Sequence, residues 1–130
     1  MMAWYGRSYR QALEEERGIQ SAIPDIVDRQ MSELDHRGFR SSVLQSLRGI
    51  LDDTMEDVHT ALARSGPPVV AIWGRDDEII PIAGKETLSE WNPSAKHGVV
   101  EGAGHALAYT HHAQVLELLD DLMVPPDGGR

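Results

Sequence analysis

The fold of this chain is decided by one short stretch, Val69-Val70-Ala71-Ile72-Trp73-Gly74. Its residues up to Trp73 form a continuous apolar run, and the preceding Gly66-Pro67-Pro68 is a strong turn signal. A run without polar alternation is typical of a strand in a parallel sheet, because helices cover both faces of such a sheet. We therefore predict a parallel strand at this point and an α/β architecture around it.

The residues that follow predict one β-α-β unit and a closing helix. Their patterns indicate a helix from Ala83 to Trp91, a second and weaker strand from His97 to Glu101, and a helix from His112 to Met123. Connections between parallel strands are right-handed in nearly all proteins, so we expect a right-handed crossover here. Since two parallel strands leave faces and edges uncovered, we also expect that part of the sheet is missing from this chain.

The first half of the chain carries helical patterns and no alternating strand pattern. Apolar residues recur there at helical spacing. They are Ile23, Val27, Met31 and Leu34, then Val43, Leu44, Leu47, Ile50 and Leu51, and finally Met55, Val58 and Leu62. We therefore predict a helical segment over residues 1–64, the β-α-β-α unit over residues 65–124 and a disordered tail over residues 125–130.

The composition excludes several classes of protein. With 12 basic and 21 acidic residues, the net charge of −9 provides no basic stripe to displace counterions from nucleic acid. The absence of cysteine excludes disulfides, cysteine-ligated zinc and a thiol nucleophile. The longest apolar run is too short for a membrane span, and the N-terminus lacks the apolar region of a signal peptide. We expect a soluble cytoplasmic protein that binds neither nucleic acid nor membranes.

Two residues at the predicted strand ends could do chemistry together. Ligand sites in open α/β sheets lie beyond the carboxyl ends of the strands. Asp77 comes three residues after Gly74, and His105 lies in the loop after the second strand. If the strands are neighbours, the Asp77 carboxylate can accept the Nδ1–H of His105 and hold the imidazole ready as a base.

Neighbouring residues support that interpretation and leave alternatives open. Gly74 permits a sharp exit from the strand, Gly102 and Gly104 permit the conformations of a tight loop, and Pro81 stiffens the end of the acid loop. Asp76 is a rival acid in the same loop. Taken singly, Asp77 also fits a loop-capping role and His105 also fits a turn position.

The acid loop carries a resemblance to a known family. Trp73-Gly74-Arg75-Asp76-Asp77-Glu78-Ile79-Ile80-Pro81 resembles the acid-loop signature of the α/β-hydrolase superfamily. In that signature a glycine is followed three residues later by the catalytic acid and, four residues after that, by a proline. Gly74, Asp77 and Pro81 occupy those places, and the glycine spacing favours Asp77 over Asp76 as the acid.

Two further stretches extend the resemblance. Gly102-Ala103-Gly104-His105 resembles the histidine loop of the superfamily, 28 positions after Asp77, and residues 38–48 resemble its helical cap, or lid. The resemblance implies the C-terminal fragment of an α/β-hydrolase fold, with a helical cap followed by a β-α-β-α unit with parallel strands. It also implies a Ser-His-Asp hydrolase of esters, thioesters or related carbonyl compounds, in which Asp77 is the acid and His105 the base.

The nucleophile of that family has no counterpart in this sequence. The family places it in a G-x-S-x-G motif before the cap. No serine here has glycines on both sides at that spacing; the serines are Ser8, Ser21, Ser32, Ser41, Ser42, Ser46, Ser65, Ser89 and Ser94. We interpret the chain as starting inside the cap and lacking the first half of the core domain, so that it is inactive alone.

Two functional hypotheses follow. The chain is a hydrolase that acts on a small ester-like substrate once a complementing N-terminal half, or a longer chain, supplies the serine. The alternative is a catalytically inactive truncated remnant or a helical binding module, and a homo-oligomer stays open in either case. We expect no cofactor and no metal, because the adjacent His111 and His112 point in different directions and no carboxylate cluster accompanies them.

Overall fold

The computed structural model describes residues 2–49 and 53–123, which divide into two compact units between Thr54 and Met55. The predicted tail over residues 125–130 lies outside the described residues, as do Ile50 and Leu51 of the predicted apolar stripe. In the described part of the chain, no helix is both long and apolar enough to cross a membrane.

The first unit consists of three helices, α1 (Met2–Glu16), α2 (Ile26–Glu33) and α3 (Phe39–Arg48). Its buried core lies where α1 meets α2, because Leu13 on α1 packs with residues from the predicted apolar stripe of the second helix. The core residues are Leu13, Val27 and Leu34, with Ile26, Met31 and Phe39 packed against them.

The second unit contains the predicted β-α-β unit and closing helix. Its elements are α4 (Glu56–Ser65), β1 (Val70–Gly74), α5 (Gly84–Trp91), β2 (Lys96–Val100), α6 (Leu107–Thr110) and α7 (His112–Met123). The strands pair in parallel, as predicted, with Val70 opposite Lys96 and Gly74 opposite Val100. The short helix α6 was not predicted, because four residues are too few to show a helical repeat.

The boundary between the units differs from the predicted one. The sequence interpretation placed residues 55–64 in the helical first segment, whereas the structure places α4 in the second unit, where it contacts α5. The stacked rings of His59 on α4 and Trp91 on α5 lie within this contact, with ring centroids 6.3 Å apart. A helical pattern alone gives no information about which unit a helix packs against, so the sequence could not place this boundary.

Helices cover both faces of the two-stranded sheet. On one face, Trp73 of β1 packs over Gly84, the first residue of α5. On the other face, Gly98 of β2 lies under α7 so closely that a β-carbon would be 3.1 Å from Leu118 Cδ1. The glycine therefore permits the close approach of α7, and this layering explains why the first strand is apolar throughout.

The outer edge of β1 has no neighbouring strand within residues 2–49 and 53–123. Val69 O accepts from Lys96 N at 2.9 Å, and Arg75 N donates to Val100 O at 3.0 Å. The backbone N–H and C=O groups of the odd-numbered residues in this stretch therefore point towards β2. Because backbone groups alternate in direction along a strand, the N–H and C=O groups of Val70 and Ile72 face the outer edge.

Candidate active site

The paired ends of β1 and β2 bring the acid loop and the histidine loop together. Asp76 N donates to Ala103 O at 2.9 Å, directly beyond the last pair of the sheet. Arg75 N donates to Val100 O at 3.0 Å on the way out of β1. The two loops are therefore joined through their backbones, and this fixes where the side chains that follow can lie.

The glycines of the two loops have different roles. A β-carbon at Gly74 would lie 2.5 Å from Ala103 O and 2.8 Å from Gly104 O, so a side chain does not fit there. Gly102 has φ +71°, a conformation that side chains rarely adopt. Gly104 has neither a crowded position nor a positive φ. A β-carbon there would lie at an ordinary 3.8 Å from Asp76 O, and Gly104 is not among the glycines with positive φ. The prediction that Gly104 serves a special backbone conformation is therefore wrong.

The last residue of the acid-loop signature, Pro81, begins the approach to α5. Its carbonyl accepts from Gly84 N at 2.9 Å, and Ile82 O accepts from Lys85 N at 3.0 Å in the next turn. Proline has no N–H to donate and a fixed φ, so it suits a residue that precedes the first turn of a helix. The acid loop therefore ends against the helix that covers one face of the sheet.

Asp77 is buried, and both of its carboxylate oxygens are engaged. Oδ1 accepts from the backbone N–H groups of Ile79 and Ile80, each at 2.9 Å. Oδ2 lies 3.1 Å from Nδ1 of His105. Because a carboxylate only accepts, the Nδ1 of His105 carries the proton, and in the neutral imidazole Nε2 is left as an acceptor.

Hydrogen bonding decides the charge of Asp77. Burial alone would raise the pKa of its carboxyl group, but the hydrogen bonds from Ile80 N–H, from His105 and from Ile79 N–H outweigh burial. The pKa of Asp77 therefore lies below its ordinary value, and the group is a carboxylate at neutral pH. A carboxylate fixed next to Nδ1 holds the imidazole of His105 in one tautomer and orientation.

His105 combines this buried partner with access to solvent. Its side chain is 49% exposed, against 6% for that of Asp77. Both residues border an open cavity of about 240 Å³ whose other walls are mostly apolar. The cavity is lined by Ala71, Ile72, Trp73, Gly74, Asp77, Ile80, Leu88, His105 and Leu107.

The structure separates the two acids of the loop. Asp76 is exposed, and its backbone N–H is used to tie the acid loop to Ala103. Asp77 is the acid of this loop that contacts His105. Asp77 therefore holds the imidazole of His105 so that its Nε2 is available to accept a proton.

Sequence reasoning missed an ion pair beside this site. Arg75 and Glu101, each the first residue after its strand, form a two-point contact in which Nη2 and Oε1 are 2.7 Å apart and Nε and Oε2 are 3.0 Å apart. The signal was present, because opposite charges directly after paired parallel strands lie at the same sheet edge. This pair forms a side-chain link between the same two loops that the backbone joins.

Histidines elsewhere in the second half do not join the pair. His111 Nδ1 contacts the neighbouring Thr110 Oγ1 at 2.9 Å, and His112 is exposed at the start of α7. Across the described ranges, no group of three or more His, Cys, Asp or Glu side chains is arranged to hold a metal ion.

Comparison with known proteins matches most of this chain to one family. The family model described as "alpha/beta hydrolase fold" matches residues 6–112. Relatives named pimeloyl-(acyl-carrier protein) methyl ester esterase, from strains B100, 8004 and ATCC 33913 of Xanthomonas campestris pv. campestris, are each 35% identical over 79 residues. That stretch spans 61% of this chain but only 30% of the length of each relative. No solved structure matches the chain significantly.

Proposed function

Since this chain belongs to the α/β-hydrolase family, we propose that Asp77 and His105 are the acid and the base of a Ser-His-Asp ester hydrolase. The observation that carries the proposal is the 3.1 Å contact between Oδ2 of the buried Asp77 and Nδ1 of the half-exposed His105. A loop-capping role accounts for the two amide contacts at Oδ1. It does not account for the second oxygen, which is directed to an imidazole.

The proposed mechanism assigns a task to each nitrogen of His105. Nε2 accepts the proton of a serine hydroxyl as the serine oxygen bonds to the ester carbonyl carbon, and the imidazolium then gives that proton to the departing alcohol. Water repeats the cycle on the acyl-serine, so that the acid is released and the serine regains its proton. Asp77 stays ionised throughout and holds Nδ1–H, which is the state that its lowered pKa favours.

The serine is the component that this sequence lacks. No serine among its 130 residues lies in a G-x-S-x-G motif. We infer that the nucleophile comes from polypeptide beyond this sequence, either in a longer chain or in a separate N-terminal half. The share of 30% that the match spans in its relatives supports this inference, since most of each relative lies outside the match.

The two units suggest how the chain contributes to such an enzyme. We assign the second unit to the hydrolase core, because it holds the parallel strands and the Asp77–His105 pair. We assign the first unit to the helical cap, because its described residues form helices and because residues 38–48 resemble that cap. The proposed boundary is therefore the one between Thr54 and Met55.

The substrate class follows from the cavity and the relatives together. The cavity beside His105 has apolar walls from residues such as Ile80 and Leu107, which suit the acyl or alkyl part of an ester. The relatives carry the name of a methyl ester esterase that acts on a carrier-bound acyl chain. We propose methyl and other short-alkyl esters of acyl chains as the substrates to test first.

A chimera tests the proposed roles. Residues 55–123 replace the corresponding part of the Xanthomonas esterase, which then supplies the serine, and hydrolysis of p-nitrophenyl acetate is measured. Asp77→Asn should lower kcat by about 10⁴-fold, and His105→Ala should cost at least as much. His112→Ala is the matched control and should leave the rate unchanged, because His112 is exposed and outside the site.

A second measurement keeps the test decisive if the chimera does not fold. In the 130-residue chain itself, an NMR signal from the His105 Nδ1 proton should be present and should disappear in Asp77→Ala. An active chimera that retains its rate after both site substitutions, or a chain without that proton signal, would show that the proposed roles are wrong.

The alternative function also has an observation in its favour. Because the nucleophile motif is absent from the sequence, the 130 residues as they stand fit an inactive remnant or a binding module. The chimera separates the two hypotheses, since a remnant that has lost selection for catalysis need not restore a working site when a serine is supplied.

A further inference from the structure

His97 lies at the centre of a hydrogen-bonded network behind the cavity. Its Nδ1 accepts from the indole Nε1–H of Trp73 at 3.1 Å, across the two strands. Its Nε2 lies 3.1 Å from Oγ of Ser89 on α5. That hydroxyl in turn donates to the backbone O of Lys85 at 2.8 Å.

The donors and acceptors of this network fit only one form of His97. An indole N–H can only donate, so Nδ1 of His97 has no proton and the proton lies on Nε2. Nε2–H then donates to Ser89 Oγ, whose own proton goes to Lys85 O. Every donor and acceptor in the network has a partner when His97 is neutral. In the imidazolium form, the added proton on Nδ1 would point at the indole N–H, so two donors would face each other.

The network also fixes a wall of the candidate site. Trp73 lines the cavity that Asp77 and His105 border. The far edge of its ring lies over Gly84, where a β-carbon would be 3.0 Å from Cζ3 and 3.3 Å from Cη2. The indole is therefore held at its nitrogen by His97, and its opposite end occupies the space that a side chain at position 84 would need.

We propose that His97 is a positioning residue for this site, which fixes Trp73 as a wall of the cavity beside the Asp77–His105 pair. The inference rests on the proposed function, because it takes the cavity as the place where the acyl or alkyl part of the ester lies. His97 does not touch the reacting atoms. It acts through Trp73, four residues before Asp77 on the same strand and loop.

The position of His97 makes this wall sensitive to pH. Burial and the nearby charge of Lys85 lower the pKa of His97 below its ordinary value. The groups that face it are Trp73 from β1 and Ser89 and Lys85 from α5. Protonation in the acidic range therefore breaks the Trp73 contact, whereas at neutral pH the contact is intact.

The test follows the Trp73 indole N–H of the full chain by NMR between about pH 5 and 8. Trp73→Phe identifies the signal. The indole N–H signal should shift as the pH is lowered, with a midpoint below pH 6.5. The NMR signals of the Ile80 and Leu107 methyl groups should show a transition with the same midpoint. His97→Leu should move the indole signal to its unbonded position at neutral pH.

A conservative variant separates positioning from simple packing. In His97→Asn an amide oxygen can accept from the indole without titrating, so the indole signal should stay in its bonded position across the whole range. His112→Asn, a change at an exposed histidine in the same unit, should leave the wild-type transition intact. Retention of the indole transition in His97→Asn, or cavity methyl groups that do not follow it in wild type, would overturn the inference.

The outcome is distinguishable from a failure of the proposed function. The Nδ1 proton of His105 reports the Asp77 contact through a separate signal. An indole that ignores His97 while this proton signal is present would refute only the role of His97. The reverse pattern would refute the proposed function and the role of His97 in it, while the Trp73–His97 contact itself would stand.

Discussion

Gly74 and Ala103 approach each other so closely that their backbones leave no room for a side chain at position 74. A β-carbon on Gly74 would lie 2.5 Å from the carbonyl oxygen of Ala103, a residue that is itself fully buried. The same carbonyl accepts from Asp76 N at 2.9 Å. One backbone group of the histidine loop therefore determines both the identity of residue 74 and the course of the acid loop.

This contact predicts that Gly74→Ala is destabilising. The added methyl group meets backbone atoms, which cannot move aside as a flexible side chain can, so the free energy of unfolding should fall by about 1–3 kcal/mol. Urea denaturation followed by circular dichroism measures the change. Gly104→Ala is the matched control in the neighbouring loop, and its nearest heavy atom at 3.8 Å predicts little loss. Equal effects of the two substitutions would contradict the role given to the Gly74–Ala103 contact.

The pair of Arg75 and Glu101 should contribute to loop geometry more than to stability. Both side chains are well exposed, and pairs of this kind are screened by salt and add little to the free energy of unfolding. Arg75→Lys loses the two-point contact and should broaden or shift the NMR signals of the acid loop while the denaturation midpoint barely changes. The difference between the acid-loop signals of Arg75→Lys and those of the wild-type chain should shrink as salt is added. A large drop in the midpoint that persists in high salt would show that the pair has a structural role.

His97 gives stability a specific dependence on pH. Its pKa in the folded chain is below the ordinary value of 6.5, so the unfolded chain binds more protons in the acidic range. Stability from this group is therefore fully present above about 6.5 and is lost as the pH falls through 6.5 towards the folded pKa. Urea midpoints measured between about pH 5 and 8 should decline on the acid side.

The matched variants for this prediction are His97→Asn and His112→Asn. The first removes the titrating group, so part of the acid-side decline should be absent. The second removes an exposed histidine of the same unit and should leave the decline in place. Asp77 does not cause a decline in stability between about pH 5 and 8. Because its pKa in the folded chain is lowered from 3.8, the stability that its carboxylate contributes is lost only as the pH falls below 3.8.

Local patterns in the sequence were sufficient to predict the part of the fold that positions the site. The apolar run closed by Gly74 predicted a buried parallel strand, and the structure has β1 at that place. Strand ends are where parallel sheets collect functional groups, so Asp77 and His105 could be predicted to meet from their positions alone. Asp77 could be preferred to Asp76 in the sequence because its spacing from Gly74 and Pro81 resembles the acid-loop signature of the α/β hydrolases.

The remaining features depend on contacts between distant residues. The packing of α4 with α5 involves a ring contact between His59 and Trp91, and neither helical pattern reveals which partner it has. The His97 network joins β1, β2 and α5 through side chains with no short motif. Such features arise from tertiary packing, which a periodic pattern in one segment does not encode.

The outer edge of β1 predicts a specific pattern of hydrogen exchange in this chain. The backbone N–H groups of Val70 and Ile72 face that edge, whereas those of Ala71 and Trp73 face β2. We expect weak protection across residues 69–101 as a whole, and Ile72 should exchange faster than Trp73. In the chimera, where a neighbouring strand would be supplied, Ile72 should become protected. Strong protection of Ile72 in the isolated chain would mean that a second copy or a rearranged segment covers the edge.

The 130-residue chain by itself should hydrolyse p-nitrophenyl acetate no faster than an equal concentration of free imidazole. His105 has a solvent-exposed side chain and a partner that holds its Nδ1 proton, but the sequence supplies no serine in a nucleophile motif for its Nε2 to activate. Without the nucleophile, a triad loses most of the rate that it otherwise contributes. The comparison of the chain with imidazole at the same pH measures this directly. A rate above that of imidazole that disappears in His105→Ala, but persists in His112→Ala, would show that the Asp77–His105 pair catalyses ester hydrolysis without any supplied nucleophile.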